Sequence, residues 1–369
     1  MTDKVHAAVA VEPGRTELRE FPFPEIPPDA GMLKVEVTGV CGSDWGYYTR
    51  YPQQRGALIL GHETIGFVSH LGRDAAARWG LKEGDRIALE EYIPCGHCEY
   101  CRSGDFRLCD ETELRPGTLR YGSTPVSVDP SLWGGYSEYQ FLHPHMVFHR
   151  VPGHVPGSLA ALALPLGNGF EWTYLQGKLA IGETVVIQGP GQQGLACVVA
   201  AKQAGAACII VTGLGTPTDT FRLSLAKKLG ADYTINIEGQ DLLETIGDIT
   251  RGRMADLVID CASGGPATVI SALQLVRKSG RVILGGQKGR PIPEFPSDLL
   301  ISKFVTAKGM RGHSFKSVEL ALETIASGRY ALDEMSTHQF ALSETDEALH
   351  TLIGEGRSNA IHCTVYPWK

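Results

Sequence analysis

The 369-residue sequence contains no apolar run that reaches the roughly 18 residues a membrane-spanning helix needs. Its start, MTDKVHAAVAVEPGR, lacks the basic region and following apolar stretch of a secretory signal. Basic charge is also in short supply. The chain has 34 Lys and Arg against 41 Asp and Glu, a formal net charge of -7, so no positive field draws it to phosphate backbones or anionic lipid. These absences exclude nucleic-acid and membrane roles and predict a cytoplasmic protein. Internal repeats and low-complexity tracts are missing too, which removes solenoids and disordered linkers from consideration.

What is present is a globular composition, 43% hydrophobic with 44 Gly and 21 Pro, in a chain long enough for two cores. The first third reads as short strands broken by turns (KVHAAVAV, MLKVEVTGV, TIGFVSHLG, DRIALE, YSEYQFL), an all-β unit. From about Thr184 apolar strands (TVVIQG, CIIVTG, DLVIDC, RVILGG) alternate with helix-period segments, so an α/β unit with a parallel sheet covered on both faces follows. The last 60 or so residues are too few for a core of their own and are expected to return to the first domain.

In TVVIQGPGQQGLACVVAAKQAG, Gly189, Gly191 and Gly194 form G-x-G-x-x-G between a strand and a helix. Such glycines let the backbone turn sharply and approach a pyrophosphate at a helix N-terminus, with Gln192 and Gln193 inside the loop. The acid that usually meets the ribose at the end of the second strand is missing; Gly213 stands there. Asp219 can reach the ribose from the longer loop, and Arg222 is the nearest cation, equally readable as a surface charge. The balance leans to NAD over NADP.

Nine cysteines are unevenly placed. Cys95, Cys98, Cys101 and Cys109 lie within 15 residues, as four thiolates that close a tetrahedral structural zinc site do. His97, between them, reads as an exposed loop residue. Cys197, Cys208, Cys261 and Cys363 read as inert buried thiols. The remaining one, Cys41, opens CGSDWGYYTRYPQQRGALILGHETIG, which also holds Ser43, Asp44, His62 and Glu63.

In this order along one chain, Cys41-Gly42-Ser43-Asp44, Gly61-His62-Glu63, the four-cysteine lobe and the glycine loop, with WGGYSEY and GRVILGG, resemble the zinc-dependent alcohol dehydrogenases of the medium-chain dehydrogenase/reductase superfamily over essentially the whole length. The resemblance implies an α/β protein with a GroES-like β-rich catalytic domain (residues 1–162 and 310–369, structural zinc lobe at about 92–112) and a Rossmann doubly wound parallel-sheet domain (163–309) that binds NAD or NADP. It implies a catalytic zinc on Cys41 and His62 in the cleft between the domains, Ser43 as proton relay, Asp44 orienting the histidine, and Glu63 as an assisting ligand. The substrate is then a small alcohol or carbonyl compound, and the chain forms a homodimer or homotetramer.

Two positions depart from that pattern. Leu164 stands where the third zinc ligand belongs and cannot bind metal; Asn168 and Glu171 are nearby but are expected to face away on the following helix. Gly46 replaces a relay histidine, so a proton would leave through Ser43 or Tyr47. A zinc-free alkene or quinone reductase, or a non-catalytic nucleotide-binding protein, are the rival readings. Trp133 could line the cleft, and Trp45, Tyr47 and Tyr48 could form an aromatic wall or packing between domains. Tyr136 is expected in the core. HPHMVFH (His143 to His149) reads as surface loop histidines and Arg311 as a solvated charge.

Overall fold

The computed structural model describes residues 4–115 and 117–369. In chain order its strands are β1 (Lys4–Glu12), β2 (Arg15–Pro22), β3 (Gly31–Val40), β4 (Leu58–Ile59), β5 (Glu63–Leu71), β6 (Arg86–Leu89), β7 (Tyr139–Leu142) and β8 (Phe148–Arg150). There follow β9 (Thr184–Gln188), β10 (Cys208–Gly213), β11 (Tyr233–Asn236), β12 (Ala255–Asp260), β13 (Val276–Leu284), β14 (Thr306–Gly309), β15 (Ser336–Ala341) and β16 (His362–Tyr366).

The chain divides into two compact units. The first comprises residues up to Leu164 together with 322–327 and 336–369; the second comprises 165–321 and 328–335. The sequence reading returned everything after residue 310 to the first domain, and the structure corrects this. Ser314 donates its hydroxyl to Glu171 at 2.6 Å, and Glu334 pairs with Lys228 at 2.6 Å, which ties both segments to the second unit.

In the first unit a seven-stranded sheet runs β15-β16-β3-β5-β6-β8, with β7 also on β3, beside a three-stranded sheet β2-β1-β4. Val5, Met32, Leu33, Ile59, Trp133, Tyr136 and Val365 pack into one core. This unit is not all-β: a helix, Gly42–Arg55, starts directly after β3. Its aromatic-rich sequence gives little helical propensity. The helix is started instead by a capping box, in which the Asp44 carboxylate accepts the Cys41 N–H at 3.0 Å.

The second unit holds a six-stranded, wholly parallel sheet in the order β11-β10-β9-β12-β13-β14. This is the 3-2-1-4-5-6 order of a dinucleotide-binding sheet, whose ligand crevice lies where the order reverses, between β9 and β12. β12 is buried along its length, and Val186, Ile210, Val258 and Val282 share a core with Ile246 and Leu273 from the helices. Among the described residues, no helix is long and apolar enough to cross a membrane.

Because β12 is central to that sheet and Ile259 is fully buried, Ile259→Ala should destabilise the second unit by about 2–5 kcal/mol. A chemical denaturation midpoint no lower than that of the parent would contradict the packing described.

Candidate metal centre and dinucleotide loop

The two segments that sequence placed far apart, Cys41 at the end of β3 and His62-Glu63 at the start of β5, meet because β3 and β5 are antiparallel neighbours with Gly39 opposite Glu63. One donor atom each from Cys41, His62 and Glu63 lies within 4.8 Å of the other two. His62 and Glu63 are buried and Cys41 is half-buried. The His62 ring is fixed at one side by Asp44, whose Oδ1 stands 3.0 Å from Nδ1. Asp44 is fully buried, and its other oxygen accepts from the Cys41 N–H and from the Tyr136 hydroxyl, each at 3.0 Å. Burial lowers the basicity of His62, but the facing Asp44 carboxylate outweighs it and holds the pKa well above the ordinary histidine value. Burial, reinforced by Glu63, pushes the Cys41 thiol up. His62 Nε2 is left facing Ser43 Oγ at 3.3 Å and Glu91 at 4.0 Å.

The donor set fits zinc. A thiolate, an imidazole nitrogen and a carboxylate are its common ligands, and the histidine carries the outer carboxylate partner that fixes ring orientation. Glu63 is not held by the sheet alone: its carboxylate Oε2 lies 3.2 Å from His362 Nε2 on β16. No local pattern pointed to His362, which sits 299 residues away. Tyr136, expected as core, is indeed fully buried but also anchors Asp44.

Leu164 is buried and offers no donor atom. Glu171 is consumed within its own unit, by Gln176 at 2.8 Å and Ser314 at 2.6 Å, and Asn168 pairs with His313 at 3.0 Å. Gly46 has no side chain to relay a proton, and the Tyr47 ring lies 6.4 Å from the His62 ring. Burial pushes the Tyr47 hydroxyl up to about 12.

The four-cysteine lobe is assembled by the helix Glu99–Ser103 and the turns around it. Its sulfurs all lie within 4.8 Å of one another; Cys95 and Cys98 stand 3.8 and 3.4 Å from Cys101, and all four are free thiols. A tetrahedron of Zn–S bonds near 2.3 Å has edges of about 3.8 Å, so the lobe has the size of a closed zinc site. Peptide N–H groups of His97 and Cys98 bring the Cys95 pKa down to about 6, favouring the thiolate. His97 is exposed, as expected, and its Nδ1 lies 3.0 Å from the Cys95 carbonyl oxygen.

In the second unit the glycine loop joins β9 to the helix Gln192–Gln203. Gly189 has φ +96°, and a side chain on Gly194 would begin 1.9 Å from the Gly189 carbonyl oxygen. At Gly191 a Cβ would meet nothing within 4 Å, leaving open space before the helix N-terminus. Gln192 Nε2 and Gln193 Oε1 are buried there without a hydrogen-bond partner among the described residues. Open space, unspent polar groups and a helix N-terminus fit a pyrophosphate. At the tip of β10, Asp219 turns back to accept the Leu214 N–H at 2.8 Å, and a Cβ on Gly213 would lie 3.3 Å from its carboxylate. Arg222 is 3.9 Å from the other Asp219 oxygen.

Other expectations divide. Trp133 is core, with its indole N–H on Val128. Trp45 packs edge-on to His350 and Tyr48 is fully buried. His149 is not a surface residue; it is buried against Glu90 at 3.0 Å. Arg311 is exposed. Cys197 and Cys363 are buried, while Cys208 and Cys261 are half-buried.

A β-rich unit with a three-donor cluster and a four-thiol lobe, joined in one chain to a 3-2-1-4-5-6 sheet with a glycine loop, defines a nucleotide-dependent zinc dehydrogenase. Comparison with known proteins agrees. Residues 27–153 match the alcohol dehydrogenase GroES-like domain and residues 194–327 the zinc-binding dehydrogenase domain. The chain is 36% identical to a probable alcohol dehydrogenase of Mycobacterium tuberculosis, over 95% of each, and 31% identical to a sorbitol dehydrogenase of Bacillus subtilis, over 98% of this chain and 97% of that one. The solved alcohol dehydrogenase of Thermotoga maritima superposes with a TM-score of 0.85 at 28% identity, covering 98% of this chain and 99% of that one. The chain belongs to the zinc-type alcohol dehydrogenase family of the medium-chain dehydrogenase/reductase superfamily. It is an oxidoreductase whose cofactors are zinc and NAD or NADP.

Since the Gly194 site admits no Cβ, Gly194→Ala should weaken NADH binding about tenfold or more, read by isothermal titration calorimetry. An unchanged affinity would remove the nucleotide from this loop.

Proposed function

We propose that the protein interconverts an alcohol and a ketone or aldehyde at a zinc held by Cys41 and His62, with Glu63 as assisting ligand. The observation that carries this reading is the convergence of three buried or half-buried donors of different chemistry within 4.8 Å. Zinc supplies a Lewis acid that makes an alcohol acidic near neutral pH, and the nicotinamide supplies the hydride acceptor.

The residues divide the remaining work. Asp44 holds the imidazole so that Nε2 faces the other donors, and Tyr136 with the Cys41 N–H holds Asp44 in turn. Ser43 is our choice for taking the substrate proton, since its Oγ already lies 3.3 Å from His62 Nε2. With Gly46 in place of a relay histidine, that proton passes from Ser43 to water or through Tyr47. Glu63 takes over the position that Leu164 leaves unfilled, steadied by His362. A zinc-free alkene or quinone reductase has no physical need of this donor set, and a protein that only binds nucleotide has no need of Ser43 beside it.

In the second unit we assign Gly189, Gly191, Gln192, Gln193 and Gly194 to the pyrophosphate and Asp219, with Gly213 and Arg222 beside it, to the adenosine ribose, which favours NAD. β14 is an exposed edge strand, and an unpaired edge supports pairing of two sheets in a homodimer or tetramer. The setting we propose is the cytoplasm.

Elemental analysis of protein purified without added metal or chelator should find about two zincs per chain, one for each cluster. Glu63→Gln should then lower both zinc content and alcohol turnover. A single zinc, with no activity restored by added zinc, would overturn the proposal.

A further inference from the structure

Two of the cysteines outside both metal clusters meet in the second unit. Cys197 lies on the helix Gln192–Gln203 that follows the glycine loop, and Cys261 directly follows β12. They are 64 residues apart in the chain, yet their sulfurs stand 3.8 Å from each other and both are free thiols. The sequence reading took them as inert because spacing gave no sign that they meet. Cys197 is fully buried and Cys261 half-buried, so Cys261 is the one a solute reaches first.

Their surroundings are the crevice assigned to the nucleotide. The Cys261 N–H donates to the Gln188 carbonyl at the end of β9, at 2.9 Å. The Asp260 carbonyl accepts the N–H groups of Gly285 and Gly286 at 3.0 and 2.9 Å. Ala262 is wedged between two glycines: a Cβ on Gly189 would lie 3.2 Å from its Cα, and one on Gly286 would lie 2.1 Å from its carbonyl oxygen. Its N–H donates to Asp260 Oδ1 at 3.1 Å, and its carbonyl accepts from the Lys288 ammonium. Residues 260–262 therefore have no slack, and they touch the glycine loop directly. On the other side, Gly194 lies one turn before Cys197 and is packed just as tightly against the Gly189 carbonyl. Closing the sulfurs from 3.8 Å to the roughly 2.0 Å of an S–S bond must shift either Ala262 or the helix that begins at the loop, because a close-packed interior absorbs little movement.

We propose that Cys197 and Cys261 are a modification site, a reversible disulfide formed by peroxide that weakens nucleotide binding at the glycine loop. The proposal rests on the assignment of Gly189, Gly191 and Gly194 to the pyrophosphate. Its chemistry is a two-electron oxidation of the pair. The Cys261 thiolate attacks one peroxide oxygen, the O–O bond breaks, and a sulfenic acid and hydroxide form. The Cys197 sulfur then attacks the Cys261 sulfur, an S–S bond replaces the S–O bond, and the second oxygen leaves as hydroxide. The two thiol protons complete two waters. The Cys197 contact and burial push the Cys261 thiol up, so little thiolate is present at neutral pH and the pair answers sustained exposure rather than a brief pulse. A dithiol reductant reopens the bond by exchange.

The test holds the zinc-loaded full chain in hydrogen peroxide for hours and maps its unreduced tryptic fragments by mass spectrometry. Fragments 179–202 and 254–277 carry one cysteine each, so their cross-link identifies the pair. The expected result is that cross-link, an NADH Kd raised about tenfold by isothermal titration calorimetry, and reversal of both by dithiothreitol. Cys261→Ser should keep the affinity of the reduced parent through the same treatment, and Cys197→Ala should do so if Cys261→Ser does not fold. The proposal is overturned if no cross-link forms, if the cross-linked protein binds NADH as the reduced protein does, or if the variants lose affinity as the parent does, which would place the effect at other thiols. An affinity of reduced protein that Gly194→Ala leaves unchanged overturns the pyrophosphate assignment and with it the effect on binding. A missing cross-link in protein that does bind NADH through the loop overturns this proposal alone.

Discussion

Everything in the first unit answers to the difficulty of keeping several ionisable side chains out of water within a few ångströms of one another. Asp44, His62, Glu63, Glu91, Arg120 and His362 are all buried, and an isolated charge in such surroundings would neutralise itself rather than stay. Each is therefore matched. Asp44 faces His62 and takes two hydrogen bonds, Glu63 meets His362, and Glu91 is locked to Arg120. Removing one member leaves the other buried and unmatched, so these residues act as pairs rather than singly.

The backbone makes room for this pairing. Gly39 lies on β3 between Glu63 on β5 and the paired Thr364 on β16. A Cβ at Gly39 would stand 2.3 Å from Glu63 Oε2 and 2.7 Å from His362 Nε2, so the absent side chain is the space through which the two outer strands touch. The helix Gly42–Arg55 contributes in a similar way. The carboxylate that starts the helix by capping Cys41 is the one that fixes His62, so local helix formation and site geometry draw on a single residue.

Much of this was legible in the sequence because it is written in spacing. The glycine loop, the four-cysteine run and the β-then-βα rhythm are local, and local patterns translate directly into turns, lobes and parallel sheets. The cluster of Cys41, His62 and Glu63 was legible only through likeness to a family, since 21 residues separate its first two members and only β3–β5 pairing brings them together. His362, Glu91 and Arg120 carry no local pattern at all; each is a single polar residue whose partner lies 29 or more residues away in the chain. The helix after Cys41 was missed because Trp45, Tyr47 and Tyr48 are poor helix formers and the cap uses cysteine where serine or threonine is usual. His149 was misread as a surface residue because a histidine-rich tract hides the alternation that buries one of its members.

The reach of β16 has a temporal side. His362 comes 299 residues after Glu63, and the strands β15 and β16 that complete the first unit's sheet follow the whole nucleotide-binding sheet in the chain. During synthesis at about 5–20 residues per second, the second unit is available to fold while the first still lacks its closing strands. Glu63 meanwhile has no histidine to face, and β3 has an uncovered edge. Glu63 thus gains its histidine only after the nucleotide-binding sheet has been made, and the half-built sheet must be kept from pairing with other chains until then.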